Sequence, residues 1–149
     1  ARMAEQMGAD EIIRLDEGDL LEQVEIAVDG RPIDMVVETV GGTAPTVDQA
    51  VSLVKPGGKV VVTGVFPNPV PINLERALEK EVKLIFSVCY GTENGQHDYE
   101  IASDLIAMGK VNPTPLITHR FALEQTPEAF ETALDKRTGS VKAMIDLSS

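Results

Sequence analysis

The sequence predicts an α/β fold built around a parallel sheet, and three observations predict it. Short apolar runs alternate along the chain with stripes of apolar residues at helical spacing. The links between them are short. The two clearest apolar runs, IDMVVETV from Ile33 to Val40 and KVVVTGVF from Lys59 to Phe66, are continuous, as in strands covered on both faces. Parallel strands can be joined only through crossovers, normally helices, so the alternation and the continuous runs point to one architecture.

The elements follow in order. RMAEQMGAD reads as the last turns of a helix whose exit glycine is Gly8. With no methionine ahead of Ala1, the expectation is that the chain is the later part of a longer polypeptide. A short apolar segment, Ile12 to Leu15, precedes Asp19, which is placed to cap a helix carrying Leu20, Leu21, Val24, Ala27 and Val28. The strand Ile33 to Val40 ends at Gly41-Gly42. Val47, Ala50, Val51 and Val54 form the next helical stripe, closed by Pro56-Gly57-Gly58 before the valine strand. PNPVPI reads as extended or edge-like, because each proline removes a ladder donor. A charged helix from Leu74 to about Lys80 leads to the strand VKLIFSVCY. The helix Tyr99 to Met108 is expected to bury Ala102, Leu105 and Ile106 and to stop at Gly109. Thr126-Pro127 reads as a cap followed by proline, ahead of the stripe Phe130, Ala133 and Leu134. Lys136-Arg137 suits the negative end of that helix. VKAMIDL closes the chain as a strand. No repeat and no long linker appears, so residues 1–149 read as one domain.

Composition narrows the function. Thirteen Lys and Arg against twenty-four Asp and Glu give a formal net charge of -11, the wrong sign for a surface that binds nucleic acid or an anionic membrane. No apolar run approaches the roughly 20 residues that span a bilayer. The single cysteine, Cys89, excludes an internal disulfide and fits a reducing, cytoplasmic setting. His97 and His119 are the only histidines, too few for a self-contained zinc site.

In an open parallel sheet, ligands bind beyond the carboxyl ends of the strands. Three such ends carry suggestive residues: Thr39-Val40-Gly41-Gly42, Thr63-Gly64-Val65 and Ser87-Val88-Cys89. Glycine there either lets a flat ring or a ribose lie against the main chain or simply turns the chain. GxGxxG, the phosphate-gripping pattern, occurs nowhere in the sequence.

The segments RMAEQMGADEII, IDMVVETVGG, AVSLVKPGGKVVVTGVF, EVKLIFSVCY, LIAMGKV, PLITHRFALEQTPEAFE and GSVKAMIDL resemble, in that order, the cofactor domain of the zinc-type medium-chain dehydrogenases. That family includes alcohol, sorbitol and threonine dehydrogenases. The resemblance covers essentially the whole chain and implies a Rossmann-type, doubly wound parallel sheet lacking its first strands. It further implies an NAD- or NADP-binding domain of an alcohol or polyol dehydrogenase, inactive by itself, with a C-terminal return segment at about 113–149 leading toward a catalytic domain. The catalytic zinc and its ligands would lie outside this chain, which offers neither catalytic nor metal-binding residues of its own.

Position by position, the resemblance implies that Val40 and Gly41 flank the adenosine side and the bridge toward nicotinamide. Thr63 and Val65, around Gly64, match positions whose main chain holds the nicotinamide carboxamide. Ser87 and Cys89 match positions on the family's sixth strand that do the same, although Phe86 and Cys89 stand where glycines are usual. Lys142 falls where a basic residue reaches the pyrophosphate. Partners implied are a small alcohol or polyol and further copies of the chain, as a homodimer or homotetramer pairing edge strands near Val70 to Leu74. The bare sheet edges would favour self-association or weak stability.

Set against these are plainer readings. Cys89 reads as a buried, inert thiol, His97 as exposed, and His119 as part of the return segment. Asp34 and Glu38 read as marking strand ends. Lys142 can equally be a surface lysine. A zinc-free quinone reductase of the same superfamily and an S-adenosylmethionine-dependent methyltransferase remain alternatives. The second also places KPGG before a valine strand.

Overall fold

The computed structural model describes residues 2–147. In chain order its elements are α1 (Arg2–Gln6), α2 (Leu20–Val28), β1 (Met35–Glu38), α3 (Thr46–Leu53), β2 (Lys59–Val62), α4 (Leu74–Glu79) and β3 (Lys83–Phe86). They continue with β4 (Thr92–Glu93), β5 (Gln96–His97), α5 (Asp98–Ala107), β6 (Ile117–Ala122), α6 (Thr126–Leu134) and β7 (Lys142–Asp146). The chain divides into two compact units, Ile13–Thr92 and Ala1–Ile12 with Glu93–Ser149.

The unit Ile13–Thr92 is built on a parallel sheet in the order β1-β2-β3. Its register aligns Val36 with Val60 and Leu84, and Glu38 with Val62 and Phe86. The core lies between this face of the sheet and α3. Val47, Ala50, Val51 and Val54 recur at helical spacing and are buried together with Val60 and Val62. The opposite face behaves otherwise. Its Met35, Val37 and Ile85 stay 48%, 53% and 41% exposed, so the continuous apolar run of β1 is covered on one face only, contrary to the expectation from sequence.

The lysine-proline-glycine-glycine turn has a steric reason. α3 ends at Val54, whose backbone turns extended ahead of Pro56, and the Lys55 amide then bonds the Ile33 carbonyl at 2.9 Å. Gly57 takes a φ of +71° and donates to the Lys80 carbonyl at 2.7 Å. A Cβ at Gly58 would collide with the Val54 side chain and stand 2.8 Å from the Lys55 carbonyl oxygen. The last carbonyls of α3 would otherwise lack donors. Lys80 reaches back to supply them, its Nζ donating to Val51 O at 3.0 Å and Ser52 O at 2.8 Å, while burial and then the neighbouring Arg76 lower its pKa. Asp19 caps α2 as expected, accepting from the amides of Leu21 and Glu22.

Several local expectations are corrected. PNPVPI, read as extended or edge-like, joins no sheet; its Val70 and Ile72 pack against the unit's own core. Polar GTENGQHDY contains a short hairpin, β4 with β5, because Asn94 and Gly95 both adopt positive φ, the pair a tight hairpin turn needs. His97 is only partly exposed and caps α5, its Nδ1 accepting from the Tyr99 amide at 3.2 Å.

In the second unit, β6 and β7 pair in parallel, with a register irregularity between Ile117 and His119, and α6 forms the crossover that parallel pairing requires. Phe121 and Ala129 are buried there. Ala129 thus fills the inner position of α6, while Phe130 and Leu134 of the expected stripe are 65% and 78% exposed. Thr126 lies inside α6 and does not cap it; its hydroxyl donates to the Leu123 carbonyl at 2.6 Å. On α5, Ala102 and Ile106 are exposed and Leu105 is half-buried. The spacing gave the helix correctly but not the depth of its cover.

Val51 is fully buried at the centre of the first unit's core. Val51→Ala is expected to lower the unfolding free energy by about 2 kcal/mol, the transfer and cavity cost of two lost methyls. Urea denaturation should show an earlier midpoint at unchanged slope.

Candidate functional site

The carboxyl ends of β1 and β2 cross closely, and Glu38 is the reason they can. It is the last residue of β1 and only 4% exposed. Its Oε1 accepts three hydrogen bonds, from the Val40 amide, the Gly41 amide and the Thr46 hydroxyl, each 2.8 Å long. Its main-chain carbonyl serves the neighbouring strand, accepting from the Thr63 amide at 2.9 Å, the Gly64 amide at 3.2 Å and the Thr63 hydroxyl at 3.0 Å. Side chain and backbone of one residue therefore bind two different turns.

Burial alone would raise the Glu38 pKa. The Gly41 amide, the Thr46 hydroxyl and the Val40 amide, with the Gly64 amide close by, outweigh it and hold the carboxyl below the ordinary glutamate value. The Gly64 amide favours the charged form through proximity, but it is directed at the Glu38 carbonyl. Oε2 consequently has no hydrogen-bond partner although it is buried.

The two glycines are explained by this crossing. Gly41 is buried with φ +66°, and a Cβ there would come within 2.5 Å of the Val65 carbonyl oxygen. A Cβ at Gly64 would collide with Glu38 Oε2 and stand 2.5 Å from the Gly41 nitrogen. With both side chains absent, the Gly42 amide reaches the Val65 carbonyl at 2.8 Å and ties the turns together. Neither glycine is there merely to turn the chain; each lets two backbones touch.

Beyond the crossing, an open cleft of about 360 Å³ runs between the ends of β2 and β3. Thr63, Gly64, Val65 and Ser87 line it, with Phe86 and Val88 among their neighbours. The Ser87 amide continues the ladder to the Val62 carbonyl at 3.0 Å, so both walls are held by the sheet. Val65, Phe86 and Val88 are 79%, 75% and 66% exposed, an apolar rim around main-chain donors and acceptors. Such a cleft suits a flat, partly polar ring.

Of the residues singled out from sequence, Thr63, Gly64, Val65 and Ser87 meet in this cleft, and Gly41 stands directly behind Gly64. Val40 is exposed beside them in sequence. Cys89 follows the cleft's last lining residue by one and is exposed, which corrects the expectation of a buried thiol. Lys142 opens β7 in the other unit, exposed and opposite Ile117 in register. Glu38 reads in sequence as a strand-end marker, and the signal of its further role is a carboxylate following valines immediately before Thr39-Val40-Gly41-Gly42. Among the described residues, no three His, Cys, Asp or Glu side chains gather to hold a metal ion.

A parallel sheet whose strand ends form a glycine-crossed, main-chain-lined cleft is the arrangement of a nucleotide-binding α/β domain. The family of zinc-binding dehydrogenases matches residues 1–108, and the chain belongs to it. It is 31% identical over 143 residues to sorbitol dehydrogenase of Bacillus subtilis (strain 168), covering 95% of this chain and 39% of that protein. A zinc-binding dehydrogenase structure from Sinorhizobium meliloti 1021 bound to NADP superimposes with a TM-score of 0.80 at 29% identity, over 97% of this chain and 42% of that one. A structure described as a short chain alcohol dehydrogenase from Escherichia coli CFT073, in complex with NADH, shares the fold with a TM-score of 0.80 at 22% identity, over 98% and 41%. The chain thus spans about two-fifths of the length of the relatives it matches.

Gly64→Ala is expected to destabilise the chain by about 2 kcal/mol or more, as overpacking against a backbone does, read by urea denaturation. Because the folded-state pKa of Glu38 is depressed, its stabilising contribution is complete above the ordinary glutamate value of about 4.3 and is lost as the pH falls through the lower folded value. As the pH falls below about 4.3, the stability gap between the unaltered chain and Glu38→Gln should narrow progressively, read from urea midpoints.

Proposed function

We propose that this chain is the cofactor-holding part of a zinc-dependent alcohol or polyol dehydrogenase, binding NAD or NADP with the nicotinamide in the cleft between β2 and β3. The observation that carries the reading is the cleft itself, where two strand ends offer main-chain groups beneath an apolar rim. The Val65 amide and the Thr63, Gly64 and Ser87 carbonyls, which are not spent on the bonds described above, can bond the carboxamide and so fix which ring face is presented. Val65, Phe86 and Val88 exclude water from the ring's edges. Val40 and Gly41 take the adenosine side and its bridge, Cys89 adds to the wall beyond Ser87, and Lys142 is assigned to the pyrophosphate on the family resemblance.

When bound, the nicotinamide supplies the hydride chemistry, and the protein supplies orientation. The described residues gather no metal-ligand set, so the zinc of the intact enzyme would be held by residues other than these. Substrates of the intact enzyme are small alcohols or polyols, by analogy with the sorbitol dehydrogenase relative. We place the protein in the cytoplasm as a homodimer or homotetramer; the uncovered sheet face at Met35, Val37 and Ile85 supports association.

Titration of the chain with NADH and NADPH, followed by nicotinamide fluorescence, is expected to show saturable binding of at least one, with no turnover of alcohols by the chain alone. The full polypeptide carrying the chain should oxidise alcohols or polyols with one of the two nucleotides. No binding of either nucleotide to the full polypeptide would sink the reading and favour a methyltransferase.

A further inference from the structure

We propose that Glu38 is a positioning residue of the cofactor cleft: its Oε1 pins the turn Val40–Gly42, while its Oε2 sets how closely the turn Thr63–Val65 can approach. The proposal rests on the reading that this cleft takes the nicotinamide end of a dinucleotide. The division of labour between the two oxygens carries it. Oε1 is saturated by three donors, whereas Oε2, equally buried, has none. A buried carboxylate oxygen without a donor is costly, so its retention calls for a physical reason. Oε2 faces the position that a Gly64 side chain would occupy. It therefore acts as a spacer against the turn whose main chain walls the cleft, while the Glu38 carbonyl holds the same turn from below through Thr63 and Gly64. The Gly42 amide bonding Val65 O at 2.8 Å closes the pair, and this bond reports the separation of the two turns.

Glu38→Gln separates the roles of the oxygens. The amide oxygen must take the place of Oε1, since the opposite orientation would set an NH2 group against three donors. The NH2 group then stands where Oε2 was, adding hydrogens against Gly64 and its N–H. The Val40–Gly42 turn stays pinned, and the Thr63–Val65 turn is displaced.

The experiment uses the 149-residue chain, its Glu38→Gln variant, and Thr46→Val, which removes the one side-chain donor to Oε1. Affinities for NADH and for ADP-ribose, which lacks the nicotinamide, are measured beside urea midpoints and amide hydrogen exchange. For Glu38→Gln, NADH affinity is expected to fall about tenfold while that for ADP-ribose changes by less than about threefold. Exchange at the Gly42 amide should quicken about tenfold while the amides within β2 keep their protection. Thr46→Val should show the same pattern at smaller size, and it decides the matter if Glu38→Gln does not fold. Parallel loss of NADH and ADP-ribose in proportion to the urea midpoint would mean a purely structural buried charge and overturn the proposal, as would unchanged NADH affinity and Gly42 exchange. Should the unaltered chain bind neither nucleotide, the cofactor reading for this chain fails by itself. Gly42 exchange in Glu38→Gln then judges the spacing of the two turns alone: quickening upholds it and no change overturns it.

Discussion

One buried carboxylate organises the edge of the sheet where β1 and β2 end. Glu38 ends β1 and binds the turn that follows it with its side chain and the turn that follows β2 with its main chain. Hydrogen bonds to a charged group contribute about 1.5 to 3 kcal/mol each, so three on one oxygen can offset the desolvation that burial imposes. The depressed pKa shows which effect wins. The approach of the two turns depends on that balance, because Gly41 and Gly64 contribute no side chains and only the Glu38 carboxylate stands against both.

The sheet beneath gives those turns a fixed base. Parallel pairing keeps the carboxyl ends of β1, β2 and β3 at one edge, and α3 packs the valines of β2 from a single face. The steric demands at Gly58 and Gly64 act at opposite ends of β2. One lets the chain enter the strand beneath Val54, the other lets it leave beneath Glu38. The strand is held at both ends by positions that tolerate no side chain. Its mouth can therefore be lined by main-chain groups whose spacing does not drift with side-chain rotamers, and such fixed donors suit the orientation of a ring without reorganisation.

The unit's other face tells a different story. Met35, Val37 and Ile85 present apolar surface to solvent although their strands read as doubly covered. A continuous valine run records the cover that a strand requires, and it does so whether or not the residues that provide the cover are among those described. The same holds for α5 and α6, whose apolar stripes predicted helices correctly but overstated burial at Ala102, Ile106, Phe130 and Leu134.

By itself the sequence determined the α/β class, the order of β1, α3, β2, α4 and β3, the cap at Asp19, and that Thr63, Gly64, Val65 and Ser87 stand at neighbouring strand ends. These follow from local periodicity, turn chemistry and the rule for parallel sheets, all of which operate over short stretches of chain. The ordered series of family-like segments also carried the family. Tertiary structure alone decided why Gly41 and Gly64 must be glycines and what Glu38 is for. Gly41 and Val65 are far apart in sequence, and Glu38 looks like any strand-end carboxylate until the turn after β2 closes over it. Exposure of Cys89 and the half-bare sheet were likewise undecidable from local pattern, because burial depends on which distant segments arrive, and no spacing rule within a strand encodes that.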